Sequence, residues 1–138
     1  MTDEKGAQGV SERLLPTGAA LLTAILLYPF ASRGVDFHHD GIMLKPAMDV
    51  LTGQTLFRDT FTQYGALTTY LHVLALKISP TLFAIRLETV VVYSVAVFFL
   101  VAAWQMFLPK VLTIVAYSLF LVFIPFYDSR WLLSLIHI

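Results

Sequence analysis

The stretch that decides the fold is TVVVYSVAVFFLVAAWQMFLP, residues 89–109, which has no charged side chain between Glu88 and Lys110. These 21 uncharged residues exceed the roughly 20 that a helix needs to cross the ~30 Å hydrocarbon layer of a bilayer. The stretch therefore predicts a transmembrane helix, which we place at residues 83–107.

Two further charge-free stretches lie on either side of this one, at residues 14–32 and 111–127. Both fall within the range of about 17–25 residues that spans a membrane. With 83–107 they predict three spanning helices, at residues 14–32, 83–107 and 108–127, after a disordered tail over residues 1–13. The first stretch is longer than the apolar region of a secretory signal and lacks an A-x-A cleavage pair, so we interpret it as an uncleaved span.

The overall composition agrees with an integral membrane protein. Of the 138 residues, 58% are apolar and 13% are charged, whereas a typical soluble domain has about 25% charged residues. The formal net charge of zero provides no basic surplus for nucleic acid. The chain has no cysteine, which excludes disulfides and thiolate chemistry. We predict an all-α, polytopic membrane fold whose principal partner is the lipid bilayer.

Eight of the 18 charged residues and three of the four histidines lie in residues 33–82, which we predict to be an extracytoplasmic loop. Apolar residues at helical spacing predict a juxtamembrane helix at about 41–52, with Asp40 as its N-cap and Gly53 at its end. A second helix is predicted at about 63–78. It is either a weak fourth span or an interfacial helix, and we favour the interfacial interpretation.

The loop begins with DFHHDG, residues 36–41, which could carry chemistry. Three interpretations remain open. Asp40 could be only a helix cap; Asp36, His38 and Asp40 could bind a divalent metal; or Asp40 could be a catalytic base. Because His38 and His39 are adjacent and no H-x-x-x-H spacing is present, the metal site is the least favoured.

An ordered pattern follows Asp40: a helix ending at Gly53, then Phe57-Arg58-Asp59, then Gly65-Ala66-Leu67. This order resembles the first extracytoplasmic loop of GT-C membrane glycosyltransferases, such as protein O-mannosyltransferases and lipid A aminoarabinose transferases. By that resemblance Asp40 matches the catalytic Asp, and Arg86 lies where the family often has an Arg before its second span. Gly41 departs from the usual Glu, and Gly65-Ala66 from the usual prolines.

The resemblance implies an inverting transferase that uses a polyprenyl-phosphate sugar donor. It implies Asp40 as general base, and Arg58, Asp59 and His39 as substrate- or phosphate-binding residues. Arg58 could equally form an ordinary ion pair with Asp59 or anchor the loop at the membrane interface. No cofactor is expected unless the divalent metal binds, and a multi-pass protein of the bacterial inner membrane is expected. The alternative is a non-enzymatic membrane protein, either a transporter fragment or an assembly subunit.

The C-terminal segment 128–138 ends in LSLIHI, residues 133–138. These six residues match the translation of a transposon-end adapter used in sequencing libraries. We therefore expect the native sequence to end near Leu132 and the chain to be the N-terminal fragment of a longer, many-span enzyme, inactive by itself.

Overall fold

A computed structural model describes residues 3–32 and 37–127, with side chains for 14–29, 31–32 and 40–122. These residues form helices and no β-strand, so the predicted all-α fold is confirmed for them. In chain order the helices are α1 (Asp3–Ala31), α2 (Phe37–Leu51), α3 (Ala66–Ile78), α4 (Leu82–Phe107) and α5 (Lys110–Tyr127).

Among the described helices, α4 is the one that is long and apolar enough to cross a membrane. Its 26 residues extend for about 39 Å at ~1.5 Å per residue. Only 22% of its most apolar window is buried within the protein, which distinguishes α4 from the core helix of a soluble domain. The apolar parts of α1 and α5, Leu14–Pro29 and Lys110–Val122, are shorter, so one of the three predicted spans has the length and apolarity to cross a membrane.

Three helix boundaries differ from the predicted ones. α1 begins at Asp3, so residues 3–13, expected to be a disordered tail, are helical. α2 begins at Phe37, so the prediction that Asp40 is its N-cap is wrong: Asp40 lies in the first turn, where a carboxylate also complements the helix dipole. α3 begins after Gly65, whose φ of 86° is a left-handed conformation that glycine adopts without strain.

The described residues divide into two compact units. The first unit contains the described parts of Met1–Leu26 and Val92–Ile138. Its buried core consists of Ala19, Val97, Val101 and Tyr117. The Tyr117 hydroxyl donates to the Ala19 carbonyl oxygen over 2.7 Å, and a small side chain at Ala19 lets α1 and α5 approach closely enough for this bond.

The second unit, Leu27–Val91, contains the predicted loop. α2 and α3 pack together, and three residues, Ser79-Pro80-Thr81, connect α3 to α4. The buried core joins all three helices through Ala47 of α2, Val73 and Leu76 of α3, and Ile85 of α4. This packing brings polar side chains of α2 and α3 to the first turns of α4.

Candidate functional site

The candidate site of the second unit is an ion pair between α2 and α4. Nη2 of Arg86 lies 2.6 Å from Oδ2 of Asp40, and Asp40 is only 5% exposed. A carboxylate with so little access to water requires a charged partner, because burying an isolated charge is costly. The predicted base and the arginine before the second predicted span are therefore in direct contact, although 46 positions separate them.

This arrangement combines a group that can accept a proton with a cation that can bind a phosphate. A carboxylate can take a proton from a hydroxyl or an amine that lies within about 3 Å. The planar guanidinium group can bind two oxygens of a phosphate at once. In the structure these two groups bind each other through Nη2 of Arg86 and Oδ2 of Asp40.

The structure does not bring Arg58 or Asp59 into contact with Asp40. Arg58 donates to Asp59 through Nε and Nη2, over 3.0 and 2.8 Å, in an exposed pair. The pair raises the pKa of Arg58, while the Arg58 hydrogen bonds and then the Thr55 backbone N–H lower the pKa of Asp59. The alternative prediction, an ordinary ion pair, therefore describes these contacts.

Asp49 attaches the same loop to α2. Its carboxylate accepts hydrogen bonds from Lys45 Nζ over 2.6 and 2.7 Å, and from the Thr60 hydroxyl over 2.8 Å. These bonds, from Lys45 first and then Thr60, lower the pKa of the Asp49 carboxyl. Asp49 thus stabilises the loop, and its contacts give it no direct part in the Asp40–Arg86 pair.

A second polar pair joins α3 to α4. Nδ1 of His72 lies 2.7 Å from Oε2 of Glu88, and His72 is only 3% exposed. The Glu88 carboxylate can hold the imidazole in one orientation, as the carboxylate of a catalytic dyad does. Nε2 of His72 is buried and has no hydrogen-bond partner. Because that atom is out of contact with solvent, this geometry does not make it a binding atom for a substrate.

The Asp40–Arg86 and His72–Glu88 pairs lie on different sides of α4. Arg86 and Glu88 are two positions apart, which corresponds to about 200° around a helix of 3.6 residues per turn. α4 therefore holds α2 by one charged side chain and α3 by another.

Part of the predicted metal site lies outside the described residues. Asp36 lies outside the described residues, and the side chains of His38 and His39 are not described either. Within the described part of the chain, no group of three or more His, Asp or Glu side chains is placed to hold a metal ion. The roles predicted for Asp36, His38 and His39 remain predictions.

Two features of the site were not predicted from the sequence. Asp49 was assigned no role, although Lys45 at i−4 is a recognisable helical ion-pair spacing. His72 was assigned no partner, because His72 and Glu88 are 16 positions apart and only the turn at 79–81 brings them together. Charged residues next to an apolar span are themselves a signal of a structural or functional role, because placing a charge at membrane depth is costly.

No protein family, curated protein or solved structure matches this chain.

Proposed function

We propose that the chain is the N-terminal part of a multi-pass glycosyltransferase of the bacterial inner membrane. It transfers a sugar from a polyprenyl-phosphate donor to a hydroxyl or amine acceptor with inversion. The observation that carries the proposal is the 2.6 Å contact between Asp40 and Arg86. Both residues occupy positions of the glycosyltransferase pattern, and they meet beside the first turns of the one described helix with the length and apolarity of a span.

In the proposed reaction, the carboxylate of Asp40 takes the proton of the acceptor. The acceptor oxygen or nitrogen attacks the anomeric carbon from the face opposite the donor phosphate. The bond between that carbon and the phosphate oxygen breaks, and its electron pair leaves with the polyprenyl phosphate. Arg86 offsets the charge on the departing phosphate, and its movement from Asp40 to the donor frees the base.

Three spans are part of this proposal. Large apolar side chains of α1 and α5 are exposed to the surroundings, including Leu21 and Ile25 of α1 and Val111 and Leu119 of α5. A soluble protein rarely exposes contiguous apolar surface of this extent. Lipid contact along α1, α4 and α5 accounts for these side chains.

The transfer reaction tests the proposal directly. In the full-length protein reconstituted in liposomes, Asp40→Asn should abolish transfer from polyprenyl-phosphate mannose and polyprenyl-phosphate aminoarabinose while membrane insertion is retained. Asp49→Asn is the matched control, because it removes a carboxylate of the same unit but leaves the candidate base intact. Transfer by Asp40→Asn at the rate of the control would exclude Asp40 as the base.

A non-enzymatic membrane protein is the second candidate. It is favoured by the fact that Asp40 and Arg86, like Arg58 and Asp59, satisfy each other's charge without a substrate. On this hypothesis the ion pairs only fix the helices, and substitutions at Asp40 change stability and assembly without changing any reaction.

A further inference from the structure

The loop between α2 and α3, residues 52–65, exposes aromatic side chains. Phe57 is 62% exposed and Phe61 is 75% exposed, and Tyr64 is also exposed. Single exposed apolar residues are common on soluble proteins, but three aromatic side chains within eight positions form a patch that indicates an interaction surface. Because they lie in a short loop, they can contact the same partner.

Phe57 has a conformation that the loop must enforce. Its φ of 64° lies in the left-handed region, which costs a bulky residue about 1–3 kcal/mol. Its backbone N–H donates to the Thr60 carbonyl over 2.8 Å, and the Asp59 carboxylate accepts the Thr55 backbone N–H over 2.8 Å. These bonds fix the turn, so the aromatic ring is displayed on a rigid support.

The apolar surface continues along α3. Leu67, Leu74 and Ile78 recur at a spacing of seven and four residues on the exposed face of this helix, and Tyr70 lies beside them. The opposite face of α3 is buried against the unit and includes Val73 and Leu76. Only residues 79–81 separate Ile78 from α4, so the exposed stripe ends where the apolar helix begins.

We propose that the tip of the loop, Phe57 and Phe61, and the exposed stripe of α3 insert into the headgroup–acyl boundary of the lipid bilayer. The inference rests on the membrane insertion of α4 that the proposed function includes, and it is independent of sugar transfer. Aromatic rings are favoured at this depth because they have an apolar body and tolerate the polar headgroups.

Charge placement favours lipid over a second copy of the chain or another protein. Arg58 follows Phe57 directly, and its guanidinium group is exposed. The guanidinium uses two of its N–H groups for Asp59, which leaves its other N–H groups for a lipid phosphate. Lys77 is exposed beside Ile78 at the other end of the stripe. Cations at both ends of an apolar surface complement the phosphate layer above a hydrocarbon core.

The absence of cysteine makes a direct depth measurement possible. The single variants Phe57→Cys, Phe61→Cys and Leu74→Cys are each spin-labelled in the full chain and reconstituted in phospholipid nanodiscs. Collision rates of the label with oxygen, which concentrates in hydrocarbon, and with a water-soluble nickel chelate are then compared. Phe99→Cys is the matched control, because Phe99 is an exposed residue of α4.

We expect oxygen collisions to exceed nickel collisions at positions 57, 61 and 74, and to exceed them most strongly, at least several-fold, at position 99. Position 61 keeps the test valid if Phe57→Cys disturbs the turn. Nickel-dominated collisions at 61 and 74, with oxygen-dominated collisions at 99, would overturn the inference while leaving membrane insertion intact. Labels at 61 and 74 that are shielded from both reagents would indicate a protein contact and would also overturn the inference. Dipolar broadening between such labels would identify the contacting protein as a second copy of the chain. Nickel-dominated collisions at 99 would refute the insertion of α4 itself.

Discussion

Replacing Arg86 by leucine should destabilise the second unit, because it leaves the carboxylate of Asp40 buried without its partner. The side chain of Asp40 is 6% exposed and that of Arg86 is 17% exposed, so little water is available to replace the lost ion pair. Removing one partner of a buried ion pair typically costs about 3–5 kcal/mol. The partial exposure of Arg86 places the expected cost at the lower end, about 3 kcal/mol, which corresponds to roughly a 10²-fold larger unfolded fraction.

A cysteine placed in the core of the second unit reports this change. Ala47 of α2 is fully buried against residues of α3 and α4, so in the Ala47→Cys background a maleimide reacts only when the unit opens. Arg86→Leu should accelerate this reaction by about 10²-fold. In the double variant Asp40→Leu with Arg86→Leu, the rate of the maleimide reaction should stay within about tenfold of the parental rate, because no unpaired charge remains buried. Equal reaction rates for Arg86→Leu and the parent would refute the claim that the pair stabilises the unit.

The remaining predictions concern the other polar contacts. Glu88→Leu should destabilise the second unit by about 1–3 kcal/mol in the same assay, because both nitrogens of buried His72 then lack partners, whereas Glu88→Gln should cost less. Tyr117→Phe should lower the stability of the first unit by about 1 kcal/mol, measured by Trp fluorescence during thermal unfolding, and no change would contradict the Tyr117 hydrogen bond. The pKa values of Asp49 and Asp59 are lowered by folding, so their stabilisation is complete above the ordinary value of 3.8 and is lost as the pH falls below it. The protection of residues 52–65 against hydrogen exchange, taken relative to the intrinsic exchange rate at each pH, should therefore fall below about pH 3.8 in the parent, and the change should be smaller in the Asp59→Asn variant.

Local sequence patterns predicted the helices because hydrophobic periodicity and charge spacing act over a few residues. The uncharged run at 89–109 falls mostly within α4, and Gly53, with a φ of 94°, follows the end of α2 as predicted. The beginning of α2 was harder to predict. Asp40 is a residue type that favours the N-cap position, but it lies in the first turn of α2, where its carboxylate reaches Arg86.

Contacts between distant residues could not be derived from spacing. The pairing of Asp40 with Arg86 depends on how α2 packs against α4, and the sequence supplied only a resemblance that placed both residues in one pattern. Arg58 illustrates the opposite case. Its neighbour Asp59 was visible in the sequence, but the choice between a phosphate and Asp59 as its partner depends on the turn that Thr55 and Thr60 close.

Exchanging the two charges, Asp40→Arg with Arg86→Asp, separates a catalytic role of Asp40 from a structural one. The swapped variant keeps an ion pair between α2 and α4 but removes the base from position 40. We measure sugar transfer by the full-length protein together with reaction of the buried cysteine at position 47. The proposed function predicts near-parental protection of that cysteine and no transfer above background. Transfer at the parental rate would show that the pair is only structural and would contradict the assignment of Asp40 as the base.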